Sequence, residues 1–175
     1  MTAGYPKPGL FIDGRWITTG RETRPVVSPC DGQEIAELPI AIDSDIDEAI
    51  AAAELAFTGW RRTPAYQRST VLRKAGDLIR DRAGLFAQTI ARELGKPLPE
   101  AVREAYAAAE MFDWAAEECR RTYGRIIPAR QTGYQMQAIW EAVGPVGAFT
   151  PWNAPAITPA RKISGALAAG CTLVM

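Results

Sequence analysis

The chain has 175 residues, of which 47% are hydrophobic and 23% are charged, an ordinary composition for a globular protein. Its 20 basic and 20 acidic residues cancel, so its net charge favours neither a nucleic acid nor an anionic membrane as a partner. It has no histidine, and its three cysteines lack CxxC spacing, so we expect neither a metal site nor a disulfide framework.

The N-terminal residues MTAGYPKPG lack the basic and apolar regions of a signal peptide. No run approaches the roughly 20 apolar residues that a membrane-spanning helix needs. We therefore expect a cytoplasmic protein with reduced cysteines. Its length suits one domain, or one domain and part of another.

Two short hairpins are predicted near the start of the chain. Leu10–Ile17 alternates around the turn dipeptide Asp13-Gly14. Val26–Val27 and Ile35–Ile40 flank a second turn near Asp31-Gly32. Hairpins this short must pack against other elements to be stable.

Four amphipathic helices are predicted next, with recognisable ends. A capping pattern from Ser44 to Asp47 begins the first, Thr63-Pro64 begins the second, Gly95-Lys96-Pro97 ends the third, and the fourth runs from about Pro99 to Tyr123. The alanine-rich apolar faces indicate closely packed helices. In chain order these faces comprise Ile46, Ile50, Ala53 and Phe57; Val71, Leu72, Ala75 and Ile79; Phe86, Ile90 and Leu94; and Val102, Ala105, Ala109, Phe112 and Ala116.

The segment Tyr134–Glu141 alternates like a β-strand, and the sequence identifies no partner for it within the chain. A strand with open edges is a site of association.

The last residues predict a βαβ unit. An apolar run ends at Phe149, a helix extends from about Pro155 to Ala169, Gly170 ends it, and Cys171–Met175 forms a second apolar run. The turn after the first strand then lies at the carboxyl edge of a parallel sheet, where α/β folds bind ligands.

Asn153 is the candidate functional residue of that turn. The residues alone favour a role as cap of the following helix, with hydrogen bonding to a ligand as the alternative. Cys171 is expected to be a core residue, since a helix C-terminus does not stabilise a thiolate. The glutamates of the fourth helix are interpreted as solvated, namely Glu104, Glu110, Glu117 and Glu118.

The motifs GPVGAFTPWN, ARK and ALAAGCT, together with the earlier LFIDGRWI, SPCDGQ and ELGKP, resemble the aldehyde dehydrogenase superfamily over nearly the whole chain. The resemblance implies an α/β fold with an incomplete Rossmann-type cofactor domain. Residues 1–125 would form the hairpins and helical layer, residues 126–143 the oligomerisation strands, and residues 144–175 the first βαβ unit of the NAD(P)-binding domain.

The resemblance also assigns roles to single residues. It implies that Asn153 donates its side-chain NH₂ to the oxyanion formed on the aldehyde, which reverses the preference for a cap. Thr150, Pro151 and Trp152 would line the nicotinamide side of a cleft for NAD or NADP. Arg161, as in succinate-semialdehyde dehydrogenases, would bind a distal carboxylate of the substrate.

The resemblance places the catalytic cysteine and the general-base glutamate beyond Met175, so the chain alone is expected to be inactive. It implies a homo-oligomer that acts on an aldehyde. Two other interpretations remain open at this stage. One is a non-catalytic interaction protein that pairs through Tyr134–Glu141, and the other is a free-standing nucleotide-binding module.

Overall fold

A computed structural model describes residues 5–175. Over this part of the chain, the last four of five α-helices form the main packed layer, the first α-helix contacts strands, and short strands pair in four two-stranded sheets. The elements in chain order are β1 Leu10–Ile12, β2 Arg15–Ile17, β3 Thr23–Val27, β4 Glu34–Pro39, α1 Asp43–Trp60, α2 Ala65–Asp81, α3 Ala83–Leu94, α4 Leu98–Glu118, β5 Arg125–Ile127, β6 Met136–Ala138, β7 Val146–Gly147, α5 Ile157–Ala169 and β8 Leu173–Val174.

Both predicted hairpins are confirmed. In the first, β1 and β2 are antiparallel with Phe11 opposite Trp16, and Asp13 and Gly14 take positive φ in the turn. In the second, β3 and β4 are antiparallel with one irregularity near Val26. Turn dipeptides were therefore a sufficient local signal for these elements.

The predicted cap of α1 is wrong. The capping position is Ile42, and the carboxylate of Asp45 accepts the hydrogen bond from the Ile42 amide at 3.0 Å. Asp45 is only 2% exposed and also accepts two hydrogen bonds from Arg21, at 2.7 and 2.8 Å. The hydrogen bonds from Arg21, followed by the one from the Ile42 amide, lower the pKa of Asp45 to about 2. This buried ion pair fixes the start of α1 against the loop before β3.

The core of the described chain is centred on α4, which packs against α2, α3 and α5. Small side chains allow this close packing: a Cβ atom at Gly76 of α2 would lie 3.2 Å from the Ala109 carbonyl oxygen of α4. The predicted alanine-rich core is confirmed. The cluster of buried residues is Leu72, Ala87, Ile90, Ala101, Ala108, Phe112, Ala115, Ala116, Cys119, Ala156, Ala160 and Ala168.

Some residues predicted on apolar faces are exposed. Val71 is half exposed, so it does not belong to the buried face of α2. Ile46 and Ile50 of α1 are also about half exposed, and Ile46 borders an open groove that continues along β8. Helical spacing shows which residues share a helix face, but it does not report whether another element covers that face.

The strand around residues 136–138 does have a partner within the chain, contrary to the prediction. β6 pairs antiparallel with β5, with Ile126 opposite Gln137. The connecting segment and both strands remain exposed, including Ile126, Tyr134, Ile139 and Trp140. The partner was missed because β5 is only three residues long.

The predicted βαβ unit is confirmed. β7 and β8 are parallel, with the Val146 amide 2.8 Å from the Thr172 carbonyl oxygen. Gly170 ends α5 with a φ of 88°, a conformation that favours glycine. The helix begins at Ile157, slightly later than predicted. Within residues 5–175, no helix combines the length and apolar character needed to cross a bilayer.

Candidate functional site

The turn that follows β7 is solvent-exposed along its whole length. Phe149, Thr150, Pro151, Trp152 and Asn153 are all exposed, with Trp152 at 80%. The turn lies at the carboxyl end of β7, beside the end of the parallel strand β8. Trp152 is therefore not a core indole in this structure, and the turn presents both apolar and polar groups at one edge of the sheet.

The N-terminus of α5 is capped by a residue from another helix. Oε1 of Glu104, on α4, accepts hydrogen bonds from the amides of Ala156 at 2.9 Å and of Ile157 at 3.4 Å. Within the described chain, the Asn153 side chain caps neither amide. The capping interpretation of Asn153 is therefore wrong. Because Glu104 satisfies these donors, the Asn153 carboxamide is left at the exposed edge.

Lys96 links this cap to Asn153. Its ammonium group forms an ion pair with Oε2 of Glu104 and also lies 3.3 Å from the backbone carbonyl oxygen of Asn153. Lys96 is in the loop between α3 and α4, two residues after the end of α3. One pair of charged side chains thus contacts the turn at the Asn153 carbonyl and at the Ala156 and Ile157 amides.

Glu104 is buried, so its interpretation as a solvated glutamate is wrong. It is 9% exposed. Burial alone would raise the pKa of Glu104, but the hydrogen bonds from Lys96 and from the Ala156 amide outweigh burial, and the pKa is lowered. Glu104 is therefore ionised at neutral pH, and its negative charge lies at the positive end of the α5 dipole.

The C-terminus of α5 is held by side chains from the helices that precede α4. Arg68 of α2 is 9% exposed and donates from Nε to the Ala168 carbonyl at 3.2 Å and from Nη1 to the Thr63 carbonyl at 2.5 Å. Trp60 donates from Nε1 to the Leu167 carbonyl at 3.0 Å. The Ala168 carbonyl lies in the last turn of α5, where carbonyls lack partners within the helix, and Arg68 places a positive charge at this negative end of the helix dipole.

Sequence reasoning missed these positioning residues. Lys96 lies in the ELGKP motif, but it was given no role, and Arg68 was not singled out. The one available signal was a charged residue on the apolar side of a helix. Arg68 lies four residues before Leu72 and Glu104 lies three residues after Ala101, and both apolar residues are buried. Such a charge needs a partner, although the sequence does not identify it.

Arg161 is exposed on α5 and lies on a groove between α5 and the C-terminal part of α4. Met111 and Trp114 line the groove, and Trp114 is itself exposed. Arg121 and Glu118 also line it and form an ion pair at 3.5 Å. The Arg161 guanidinium can bind an organic anion at this groove. The structure therefore brings Arg161 to a groove, but it does not bring Arg161 into contact with Asn153.

The surroundings of Cys119 favour its thiol form. Cys119 is buried, and its sulfur lies 3.3 Å from the carbonyl oxygens of Ala65 and Ala116, which favour the thiol. Burial raises the pKa of Cys119. Cys171 is buried, as predicted, and Cys30 is exposed. The described residues also contain no cluster of three or more cysteine or acidic side chains suited to a metal ion.

Comparison with known proteins gives a consistent result. Residues 16–175 match the family model described as the aldehyde dehydrogenase family. The chain is 41% identical over 175 residues to 4-(hydroxymethyl)benzenesulfonate dehydrogenase TsaD1 of Comamonas testosteroni, covering 99% of this chain and 37% of that protein. It is 37% identical over 166 residues to succinate-semialdehyde dehydrogenase [NADP(+)] GabD of Escherichia coli, covering 94% and 34% of the two chains.

The fold is likewise similar to that of solved enzymes. The structure of betaine aldehyde dehydrogenase from Staphylococcus aureus in complex with NAD+ superposes with a TM-score of 0.92 at 28% sequence identity, covering 97% of this chain and 34% of that one. The chain thus spans about a third of the length of the relatives it matches.

Proposed function

The chain belongs to the aldehyde dehydrogenase family, and on that basis we propose that it is the N-terminal part of an enzyme that oxidises an aldehyde to an acid with NAD or NADP. The fold is the α/β fold of this family. The observation that carries the proposal is the exposed turn from Thr150 to Asn153, since its asparagine is released from helix capping by Glu104.

Asn153 is proposed to stabilise the oxyanion that forms when a cysteine thiolate adds to the aldehyde carbonyl. Its carboxamide is exposed at the carboxyl edge of β7, and its backbone is held by Lys96. A donor that is fixed before the reaction stabilises developing charge without reorganising. The cysteine and the glutamate that activates water are proposed to lie in the part of the enzyme that follows this chain.

The residues Thr150, Pro151 and Trp152 are proposed to form the nicotinamide side of the cofactor cleft. They suit this role because they are exposed, adjacent and located at a strand end, and because the Trp152 indole presents a flat apolar surface. NAD or NADP, when bound, accepts the hydride of the substrate. Relatives that use each of the two cofactors match this chain, so the proposal covers both.

The substrate class is proposed to be an aldehyde with a distal anionic group. Arg161 lines a groove with Trp114 and provides positive charge beside apolar surface, while Arg121 on the same groove is paired with Glu118. Two relatives carry the names of compounds with a sulfonate or a carboxylate, namely the benzenesulfonate and succinate-semialdehyde dehydrogenases. Of these two groups, we favour the carboxylate, as in succinate semialdehyde.

The assembly is proposed to be a cytoplasmic homo-oligomer, with residues 126–143 as its association strands. The β5–β6 hairpin exposes Ile126, Ile139 and Trp140, each at 70% or more. Apolar surface of this kind is typical of an interface. The proposed division of the chain into residues 1–125, 126–143 and 144–175 follows the same interpretation.

The experiment that tests the proposal has a genetic part and a kinetic part. The coding sequence is read past Met175, where an in-frame lysine-proline continuation is expected. The encoded enzyme is then purified and assayed with succinate semialdehyde and NAD or NADP, by the absorbance of the reduced nicotinamide. A chain of these 175 residues is the control and is expected to be inactive. An extended enzyme that reduces neither cofactor with any aldehyde of a panel contradicts the proposal.

A second candidate function is a non-catalytic protein that associates through the exposed β5–β6 hairpin. The exposure of Trp140 at 74% favours it. A stop codon directly after Met175, together with specific self-association of the 175-residue chain in analytical ultracentrifugation, would support this candidate instead of the enzyme.

A further inference from the structure

Lys96 and Glu104 form a charged pair beneath the turn that carries Asn153. The side chains are 21% and 7% exposed, and the pair lies between the loop before α4 and the start of α5. Lys96 contacts the backbone of Asn153, and Glu104 contacts the start of α5. The pair therefore has no direct place in the chemistry proposed above.

The contacts of this pair are divided between the two sides of one short turn. Lys96 donates to the carbonyl of Asn153, and Glu104 accepts from the amide of Ala156. Asn153 and the first turn of α5 are thus attached to the same ion pair. A shift of Lys96 or Glu104 would move the Asn153 backbone, and the Asn153 carboxamide would move with it.

Stability alone is a weak reason for such a pair. A buried ion pair often contributes no more to stability than apolar side chains of the same volume, because both charges must be desolvated. An exposed serine or aspartate in the turn itself could cap α5 more simply. The cap from Glu104 on α4 instead leaves the side chains of the turn free. Lys96 meanwhile fixes the carbonyl of Asn153, the residue that is proposed to donate to the oxyanion.

We propose that Lys96 and Glu104 are positioning residues that aim the Asn153 carboxamide at the reacting oxygen. This inference rests on the proposed function of the enzyme. A displacement of about 1 Å in a catalytic group can cost about 100-fold in rate, so a pair that fixes the backbone at Asn153 has a measurable effect.

The kinetic test uses the extended enzyme with three variants. Lys96→Met keeps the aliphatic stem and removes both hydrogen bonds, and Glu104→Gln keeps an acceptor for the Ala156 amide while removing the charge. We expect each to lower kcat by roughly 10- to 100-fold and to change the KM for the cofactor by less than about threefold. Glu110→Gln is the matched control, the same substitution at an exposed position of α4. It is expected to behave as the wild type.

A double-mutant cycle separates positioning from a general effect on the fold. If Lys96 acts through Asn153, Lys96→Met should have almost no further effect in an Asn153→Ala background, within about twofold. The inference is overturned if Lys96→Met lowers kcat in the Asn153→Ala background by the same factor as in the wild type. It is also overturned if Lys96→Met and Glu104→Gln both keep the wild-type kcat.

A second measurement does not depend on activity. In the 175-residue chain, amide hydrogen exchange is followed by NMR in the wild type, Lys96→Met and Glu104→Gln. We expect the Ala156 amide to exchange about tenfold faster in Glu104→Gln and the Asn153 carboxamide signals to shift in both variants. Amides in the middle of α5 should keep their protection.

Faster exchange along all of α5 would indicate a role in helix stability only and would overturn the inference. This measurement also separates the two proposals. A wild-type enzyme that is inactive with every aldehyde contradicts the proposed function, while the local exchange pattern still decides whether the pair fixes this turn.

Discussion

Glu104 and Arg68 bind opposite ends of α5. The Glu104 carboxylate accepts from the Ala156 amide at 2.9 Å, and the Arg68 guanidinium donates to the Ala168 carbonyl at 3.2 Å. The two residues come from α4 and α2, so α5 is fixed between two helices by charges that complement its dipole. The turn with Asn153 is positioned by the same arrangement that holds the helix.

Removing the donor at Asn153 should affect the reaction and not the binding of the cofactor. In the extended enzyme, Asn153→Ala is expected to lower kcat by about 10²- to 10³-fold, because the lost hydrogen bond acts mainly in the transition state. Steady-state kinetics and a cofactor titration measure the two effects. Because Asn153 does not cap α5, the Asn153→Ala variant should keep the thermal stability of the wild type. An unchanged kcat would contradict the oxyanion role of Asn153.

Arg161 should determine preference among aldehydes. Arg161→Leu is expected to lower kcat/KM for succinate semialdehyde by at least about 30-fold, because the distal carboxylate loses its charged partner. An uncharged aldehyde of equal length should be hardly affected. Lys162→Leu, at the exposed neighbouring position, is the control. Equal losses for both aldehydes would show that Arg161 serves the fold and not the substrate.

Arg68 should contribute strongly to stability. Arg68→Met removes two charged hydrogen bonds and leaves the Ala168 and Thr63 carbonyls without that donor, so the free energy of unfolding is expected to fall by about 2–4 kcal/mol. Denaturant titration of the chain measures it. Lys74→Met, at an exposed position of the same helix, should change the free energy by less than about 0.5 kcal/mol. An equal decrease in the free energy of unfolding for Arg68→Met and Lys74→Met would contradict the role of Arg68.

Asp45 should make stability dependent on pH in the acid range. Its pKa is lowered to about 2, chiefly by Arg21, whereas the pKa of an unfolded aspartate is about 3.9. The lowered pKa stabilises the folded state fully above the unfolded value, and this contribution is lost as the pH falls from about 4 to about 2. The Tm advantage of the wild type over Asp45→Asn should therefore shrink across that window.

Asp47→Asn, at an exposed position of α1, is the control for this measurement. A difference in Tm between wild type and Asp45→Asn that stays constant from about pH 5 to about pH 2 would contradict the role of the Arg21–Asp45 pair.

Local signals in the sequence predicted much of the fold. Asp13-Gly14 marked a hairpin, Gly170 marked the end of α5, and the apolar runs around it marked a parallel strand pair. Each of these features depends on a few consecutive residues. The position of the Thr150–Asn153 turn could also be predicted, because the first turn of a βαβ unit lies at the carboxyl edge of its parallel sheet.

The contacts that support the site could not be predicted in this way. Glu104 reaches an amide 52 residues later in the chain, and Arg68 reaches a carbonyl 100 residues later. Whether a glutamate on a helix is solvated or buried depends on which element packs over it. The pattern of α4 alone gave Glu104 and Glu110 the same interpretation, although only Glu104 is buried.

The long sequence separation of these contacts has a consequence for how the chain acquires its structure. The helices α1 to α4 are local elements that can form early, as soon as their residues have been synthesised. The turn at Asn153 obtains its geometry only when α5 docks between Trp60, Arg68 and Glu104, which precede it in the chain. The candidate site is therefore complete only once α5 has docked, and substitutions at the docking contacts should mainly speed the undocking of α5 without slowing formation of the other helices.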